Sequence, residues 1–136
     1  MTNYAILLKE HDLKATFQRT QILEVIENYG HIAIEAIYEE VSKIHSSLSL
    51  ATIYKNIILM TQKGVLIEVP IIGKKSKYEI HKDDHIHLIC TVCGSVVDKM
   101  LDGSTNIDTK KVANDSSFSL EYRQMNLYGI CKKCRA

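Results

Sequence analysis

No run of apolar residues in this 136-residue chain is long enough to cross a bilayer. Stretches such as Ile57–Met60 fall far short of the roughly 20 residues that a spanning helix needs. The N-terminus also lacks the basic start and apolar run of a signal peptide, so the expected location is cytoplasmic, with no membrane partner. Strong net charge is missing too. Seventeen Lys and Arg against sixteen Asp and Glu leave +1, so any nucleic-acid binding must come from local basic patches and not from bulk charge. There is no internal repeat and no low-complexity tract. With 46% hydrophobic and 24% charged residues, the composition is that of a folded globular chain and argues against disorder. The length allows one ordinary domain or two small ones, each short of core.

Cysteine occurs only in two Cys-x-x-Cys pairs, Cys90/Cys93 and Cys131/Cys134. In a reducing compartment such pairs are metal ligands or redox sites before they are a disulfide framework. A thioredoxin-like site would account for one pair only. Two knuckles together suit one structural Zn²⁺ per chain, because four thiolates close a tetrahedral shell. The long loop between the pairs means that such a metal staples distant segments of a small domain.

Hydrophobic spacing divides the chain. In Thr20–Tyr29, Ile22, Ile26 and Tyr29, with Leu23 beside them, mark an amphipathic helix. Ile34, Ile37, Tyr38, Val41 and Ile44 mark a second, with Glu35, Glu39, Glu40 and Lys43 on its other face. A third lies between Ser49 as N-cap and Gly64 as stop, with Ile53, Ile57 and Met60 inward and Thr52, Tyr54, Lys55 and Asn56 largely off that stripe. After Gly64, Val65–Pro70 and Ser76–Ile80 read as strands around a turn containing Gly73. Three helices and a hairpin make the winged form of the helix-turn-helix. Lys74, Lys75 and Lys77 put a small basic cluster on that hairpin, suited to phosphate contact, although a charged turn is often only a solvated one. Further on, Ile86–Cys90 and Ser95–Lys99 read as strands, Ser104–Asn114 as a helix, and Phe118–Ile130 as a long strand-like segment. The alternation of that last segment shifts phase after Tyr122, which predicts a bulge or break. The expected fold class is therefore α+β, a winged helix followed by a small α/β domain with a four-cysteine zinc site.

A second, harder donor set surrounds the junction. His85 and His87 stand two apart on one strand and so face one way. Glu79 precedes them, and Asp98 lies on the strand after the first knuckle. Imidazoles and carboxylates suit iron, manganese or zinc, whereas the thiolates select zinc. The chain can thus encode two chemically different metal sites.

Four segments, Leu13-Lys-Ala-Thr-Phe-Gln-Arg19, Ser49-Leu-Ala-Thr-Ile-Tyr54, His85-Ile-His-Leu-Ile-Cys-Thr-Val-Cys-Gly94 and Tyr128-Gly-Ile-Cys-Lys-Lys-Cys134, together resemble the Fur superfamily of metal-dependent repressors. They occur in the family's order and spacing and span nearly the whole chain. The resemblance implies a winged-helix DNA-binding domain over residues 1–78, a hinge at 79–83, and a dimerisation and metal-binding domain over 84–136. It implies that Cys90, Cys93, Cys131 and Cys134 hold structural zinc. It also implies that His31, Glu79, His85, His87 and Asp98 hold one regulatory Fe²⁺ or Mn²⁺ per chain. His31 enters only through this resemblance; His11, His45 and His81 match no ligand position. Lys14, Arg19, Thr52, Tyr54 and Lys55 match positions near DNA, and Lys74 joins them from the hairpin.

Within the superfamily, Asp98 matches the peroxide-sensing repressors (PerR), where iron-uptake repressors usually carry Glu. Ile86 stands where iron-uptake repressors commonly have an Asp serving an additional metal. No spare cysteine exists for the site of a zinc-uptake repressor. Glu79, in contrast, matches the iron-uptake branch. The resemblance therefore implies a homodimeric repressor of a palindromic double-stranded DNA operator. Its signal would be hydrogen peroxide, read through iron-catalysed oxidation of His31 or His85, and an iron-responsive repressor of iron uptake is the alternative. Two other classes compete: a small metalloenzyme, which the implied switch mechanism opposes, and a constitutive zinc-stabilised DNA-binding module.

Overall fold

The computed structural model describes residues 2–82, 84–104 and 107–135, which form two compact units, Met1–His81 and Lys82–Ala136. Asp83, the last residue of the expected hinge, and residues 105 and 106 of the expected helix Ser104–Asn114 lie outside the described residues. Among the described residues, no helix is long and apolar enough to cross a membrane.

The first unit is built from α1 (Tyr4–Glu10), α2 (Phe17–Tyr29), α3 (Ile34–Ile44), α4 (Leu50–Gln62) and the hairpin β1 (Leu66–Val69) and β2 (Lys77–Ile80). Thr16 caps α2 by accepting the backbone N–H of Arg19, so this helix starts at Phe17, three residues before its apolar stripe becomes visible. Ser49 caps α4 in the same way through Thr52. Ile22, Leu23 and Ile26 of α2, Ile37 of α3, and Ile53, Ile57 and Met60 of α4 are sealed from solvent in one core. Truncating any of these to Ala costs about 2–5 kcal/mol. Tyr29 and Ile44, both expected on inward stripes, are exposed because each is the last residue of its helix, beyond the reach of the core. Helix α1, for which the spacing gives no prediction, anchors itself there through Leu8.

In the hairpin, Leu66 faces Ile80 and Val69 faces Lys77, with Gly73 at positive φ in the turn. Strand β2 continues through Glu79 and Ile80, residues expected in the hinge. On its other side, Tyr78 forms an antiparallel bridge with Ile32, the two backbones exchanging hydrogen bonds of 2.8 and 3.2 Å.

The second unit holds β3 (His85–Cys90), β4 (Val96–Met100), α5 (Thr109–Asp115), β5 (Met125–Gly129) and the short α6 (Lys132–Arg135). The sheet order is β4-β3-β5, with β4 antiparallel and β5 parallel to the central β3. Two expectations need correcting. The expected helix is shorter and begins at Thr109, where Asp108 caps it by accepting the N–H of Lys111. The long strand Phe118–Ile130 is a strand only from Met125. Its pairing partner β3 offers Ile86–Cys90 and no more, so residues 118–124 have no ladder to join. The predicted phase break coincides with the start of the ladder.

Candidate metal centres and nucleic-acid face

Each thiol pair sits at the end of a sheet strand. Cys90 closes β3, and Gly94, at positive φ, donates its N–H to the Cys90 carbonyl at 2.9 Å to turn the knuckle back toward β4. Cys131 follows β5, and Cys134 lies in α6. One sulfur from each of the four cysteines falls within 4.8 Å of all the others, and Cys93 Sγ lies 3.8 Å from Cys131 Sγ. Four thiolates at about 2.3 Å from a tetrahedral zinc stand about 3.8 Å apart, so the spacing fits that ion.

The electrostatics agree. The backbone N–H groups of Cys93 and Cys131 donate to Cys90 Sγ at 3.5 and 3.3 Å and pull its thiol down to about 6. Ser95 beside Cys93 lowers that thiol also. Cys134 goes the other way, pushed up to about 12, first by its hydrogen bond with Cys131. Four crowded sulfurs cannot all shed their protons unaided; a divalent cation makes the four thiolates compatible.

The harder donors occur as a set in each unit. In the first, the bridge between Ile32 and Tyr78 makes His31 and Glu79 opposite neighbours. His31 Nε2 lies 2.8 Å from Glu79 Oε2, and Glu79 is only 1% exposed. In the second, His85 and His87 lie on one face of β3, both buried, with their Nε2 atoms 2.8 Å apart. Asp98 is the register partner of His87 on β4, and its Oδ1 lies 3.6 Å from each Nε2. The Lys82 ammonium contacts the other carboxylate oxygen. Two imidazoles and a carboxylate converging this closely are a donor set for Fe²⁺, Mn²⁺ or Zn²⁺. Asn126, which the sequence reading passed over, is the register partner of His87 on β5, with its Oδ1 2.9 Å from His87 Nδ1. Its only sequence signal is its place in a parallel register, which spacing does not reveal.

The opposite face of the same sheet is apolar and open. Val97, Leu88 and Leu127 form one transverse row across β4, β3 and β5, and all three are exposed. Asp98, His87 and Asn126 form the neighbouring row on the other face. A single register thus sets donors on one side and an apolar strip on the other.

In the first unit, the outward side of α4 carries Tyr54, 53% exposed, with Lys55 exposed and Thr52 half-buried. Lys14 and, on the hairpin, Lys74 are exposed. Lys75 is drawn aside by an ion pair of 2.9 Å with Glu35. Arg19 is less free: its Nε donates to Asn56 Oδ1 at 3.1 Å and one terminal nitrogen donates to the Lys14 carbonyl at 2.7 Å. It therefore braces the segment before α2 against α4, and an aromatic ring and a lysine project from a helix whose inner stripe is sealed in the core.

The sequence model of the ferric uptake regulator family matches residues 10–128. The ferric uptake regulation protein of Bordetella parapertussis is 36% identical over 131 residues, 94% of either chain. The peroxide operon regulator of Bacillus subtilis is 29% identical over 128 residues, covering 93% of this chain and 88% of its own. Among solved structures, the Campylobacter jejuni peroxide stress regulator superposes with a TM-score of 0.73 at 31% identity, covering 98% of this chain and 100% of its own. The chain belongs to the ferric uptake regulator family, whose members are metal-responsive transcriptional regulators and not enzymes.

Proposed function

We propose that this regulator is a homodimeric repressor that binds an operator when loaded with Fe²⁺ or Mn²⁺ and releases it after peroxide oxidises one of its own histidines. The observation that carries the reading is Asp98, a short carboxylate held 3.6 Å from two buried imidazoles. In the resemblance drawn from the sequence, this position separates peroxide sensors from iron-uptake repressors. His31 and Glu79 from one unit, with His85, His87 and Asp98 from the other, serve as the regulatory ligands. Cys90, Cys93, Cys131 and Cys134 hold one zinc per chain as a fixed staple.

Ligands contributed by both units tie one to the other, and in a dimer this fixes the separation of two α4 helices. Half-site spacing on DNA makes that separation a strict requirement. Metal affinity and operator affinity are therefore coupled, and the coupling is reciprocal. The exposed strip of Val97, Leu88 and Leu127 supplies an apolar surface for pairing two copies. Thr52, Tyr54 and Lys55 read or flank bases from α4, Lys14 and Lys74 meet phosphates, and Arg19 holds the first of these segments in place. His31, Glu79, His85, His87 and Asp98 would hold the Fe²⁺, which would supply redox activation of peroxide there. Overall, one peroxide oxygen would enter a ring C–H of His31 or His85 and the other would leave as water, a two-electron oxidation of the imidazole by peroxide. The oxidised ring donates its lone pair less well, and the tie between the units is lost. The zinc-held thiolates stay reduced.

An iron-responsive repressor of iron uptake is the second reading. Glu79 and the 36% identity to the Bordetella parapertussis protein favour it. Operator binding measured with Fe²⁺ and with Mn²⁺, before and after brief peroxide, separates the two. Peroxide sensing requires loss of binding in the Fe²⁺ sample alone; survival of both points to iron sensing.

A further inference from the structure

We infer that Asn126 is a positioning residue for the regulatory metal, fixing His87 in the one tautomer that presents Nε2 as a donor. The inference rests on the regulatory reading above and adds to it a residue that does not itself touch the metal. Asn126 stands directly opposite His87 in the parallel β3–β5 register, with its Oδ1 2.9 Å from His87 Nδ1. The direction of the amide is set from behind. Asn126 Nδ2 donates to Gln124 Oε1 at 2.8 Å and points toward the Tyr128 hydroxyl at 3.5 Å. With Nδ2 so engaged, Oδ1 is the atom turned to the imidazole, and an amide oxygen only accepts.

His87 Nδ1 must then carry the proton, and its Nε2 holds the lone pair. That lone pair faces His85 Nε2 at 2.8 Å and Asp98 Oδ1 at 3.6 Å. The polarity is consistent along the whole row. His87 Nδ1–H donates to Asn126 Oδ1, and Asn126 Nδ2 donates to Gln124 Oε1. A ligating histidine ordinarily donates its second ring N–H to an oxygen, which fixes tautomer and orientation and raises basicity. Here a neutral side chain supplies that oxygen from the adjacent strand, at 1% exposure of the histidine it holds.

The test uses the full chain with zinc retained and Mn²⁺ alone as the probe. Two quantities are read: Mn²⁺ affinity by titration, and the His87 tautomer from ring ¹⁵N shifts without Mn²⁺. Asn126→Leu is expected to weaken Mn²⁺ binding by about 10–100-fold and to populate the Nε2–H tautomer, with zinc content unchanged. Asn126→Asp, which keeps the acceptor, restores the wild-type tautomer and affinity. If Asn126→Leu does not fold, Gln124→Leu frees the amide to turn and is expected to shift both readouts in the same direction. Wild-type tautomer and affinity in the folded variant overturn the inference. His87→Ala separates the layers: if it abolishes Mn²⁺ binding while Asn126→Leu leaves it intact, only the role of Asn126 falls. If His87→Ala leaves Mn²⁺ binding intact, the regulatory reading falls and takes this inference with it.

Discussion

His31 and Glu79 face each other across an antiparallel backbone pair, Nε2 to Oε2 at 2.8 Å, although one follows α2 and the other lies in the second strand of the hairpin. Their meeting is produced by the Ile32–Tyr78 bridge, not by proximity in sequence. Strand β2 thus works on both edges, pairing with β1 on one side and delivering Glu79 to His31 on the other.

Removing His31 should therefore show itself before any metal is added. His31→Ala removes the imidazole nitrogen that lies 2.8 Å from a buried carboxylate oxygen, a contact whose loss costs about 1–3 kcal/mol. Urea unfolding of zinc-loaded protein without Fe²⁺ or Mn²⁺ is expected to report a loss of that size. The same variant should bind operator equally with and without Mn²⁺. A variant as stable as wild type, with intact Mn²⁺ dependence, would refute both statements.

Cys93→Ser and Cys131→Ser each break the four-sulfur cluster from a different knuckle. Either should release the zinc of its chain and lower both melting temperature and dimer content, because structural zinc contributes folding free energy directly. Metal analysis, calorimetry and sedimentation check this together. A zinc-free variant that remained dimeric and equally heat-stable would show that the staple is dispensable.

Lys74 and Tyr54 are both exposed but should fail differently. Lys74→Ala is expected to weaken binding to cognate and altered operators alike and to lower the salt slope by about one ion, through counterion release. Tyr54→Ala should cost about 1–3 kcal/mol of discrimination between those operators. Binding curves on two sequences at several salt concentrations distinguish them. Uniform losses for both variants would remove Tyr54 from base reading.

The peroxide reading predicts one added oxygen on the peptide containing His31 or His85 after Fe²⁺-loaded protein meets peroxide, with all four cysteines unmodified by mass. Asp98→Glu lengthens the carboxylate opposite His87 and should keep metal-dependent DNA binding while blunting that oxidation. Wild-type protein that stays on DNA with unmodified histidines transfers the assignment to iron sensing.

Helix α4 could be read directly because its cap, its stripe and its stop are all local: Ser49, then Ile53, Ile57 and Met60, then Gly64. The thiol cluster was equally legible, since paired spacing states its own chemistry. What escaped depends on partners far along the chain. Residues 118–124 alternate like a strand, yet β3 begins only one residue before its pairing with Met125 and offers them no ladder. Arg123 instead donates to Asp84 and to the Ile107 carbonyl. Asn126 has no motif at all, and its relation to His87 exists only once a parallel register is formed. His31, without the resemblance, is a histidine after a helix.

The parallel pairing of β3 with β5 also bears on how the second unit comes to be built. His87 must find a neighbour 39 positions away, whereas β3 and β4 meet through a short knuckle. Such a non-local closure is entropically slow relative to hairpin formation. Until it occurs, Cys90 and Cys93 wait without the second thiol pair, in a half-made sheet whose central strand has an open edge. That interval, more than the finished protein, is when these sulfurs are open to oxidants and the strand to unwanted pairing. Early zinc capture by the second knuckle would shorten it. A chain made under zinc limitation would accumulate thiol damage during assembly, even though the zinc-held thiolates of completed copies resist the same oxidant.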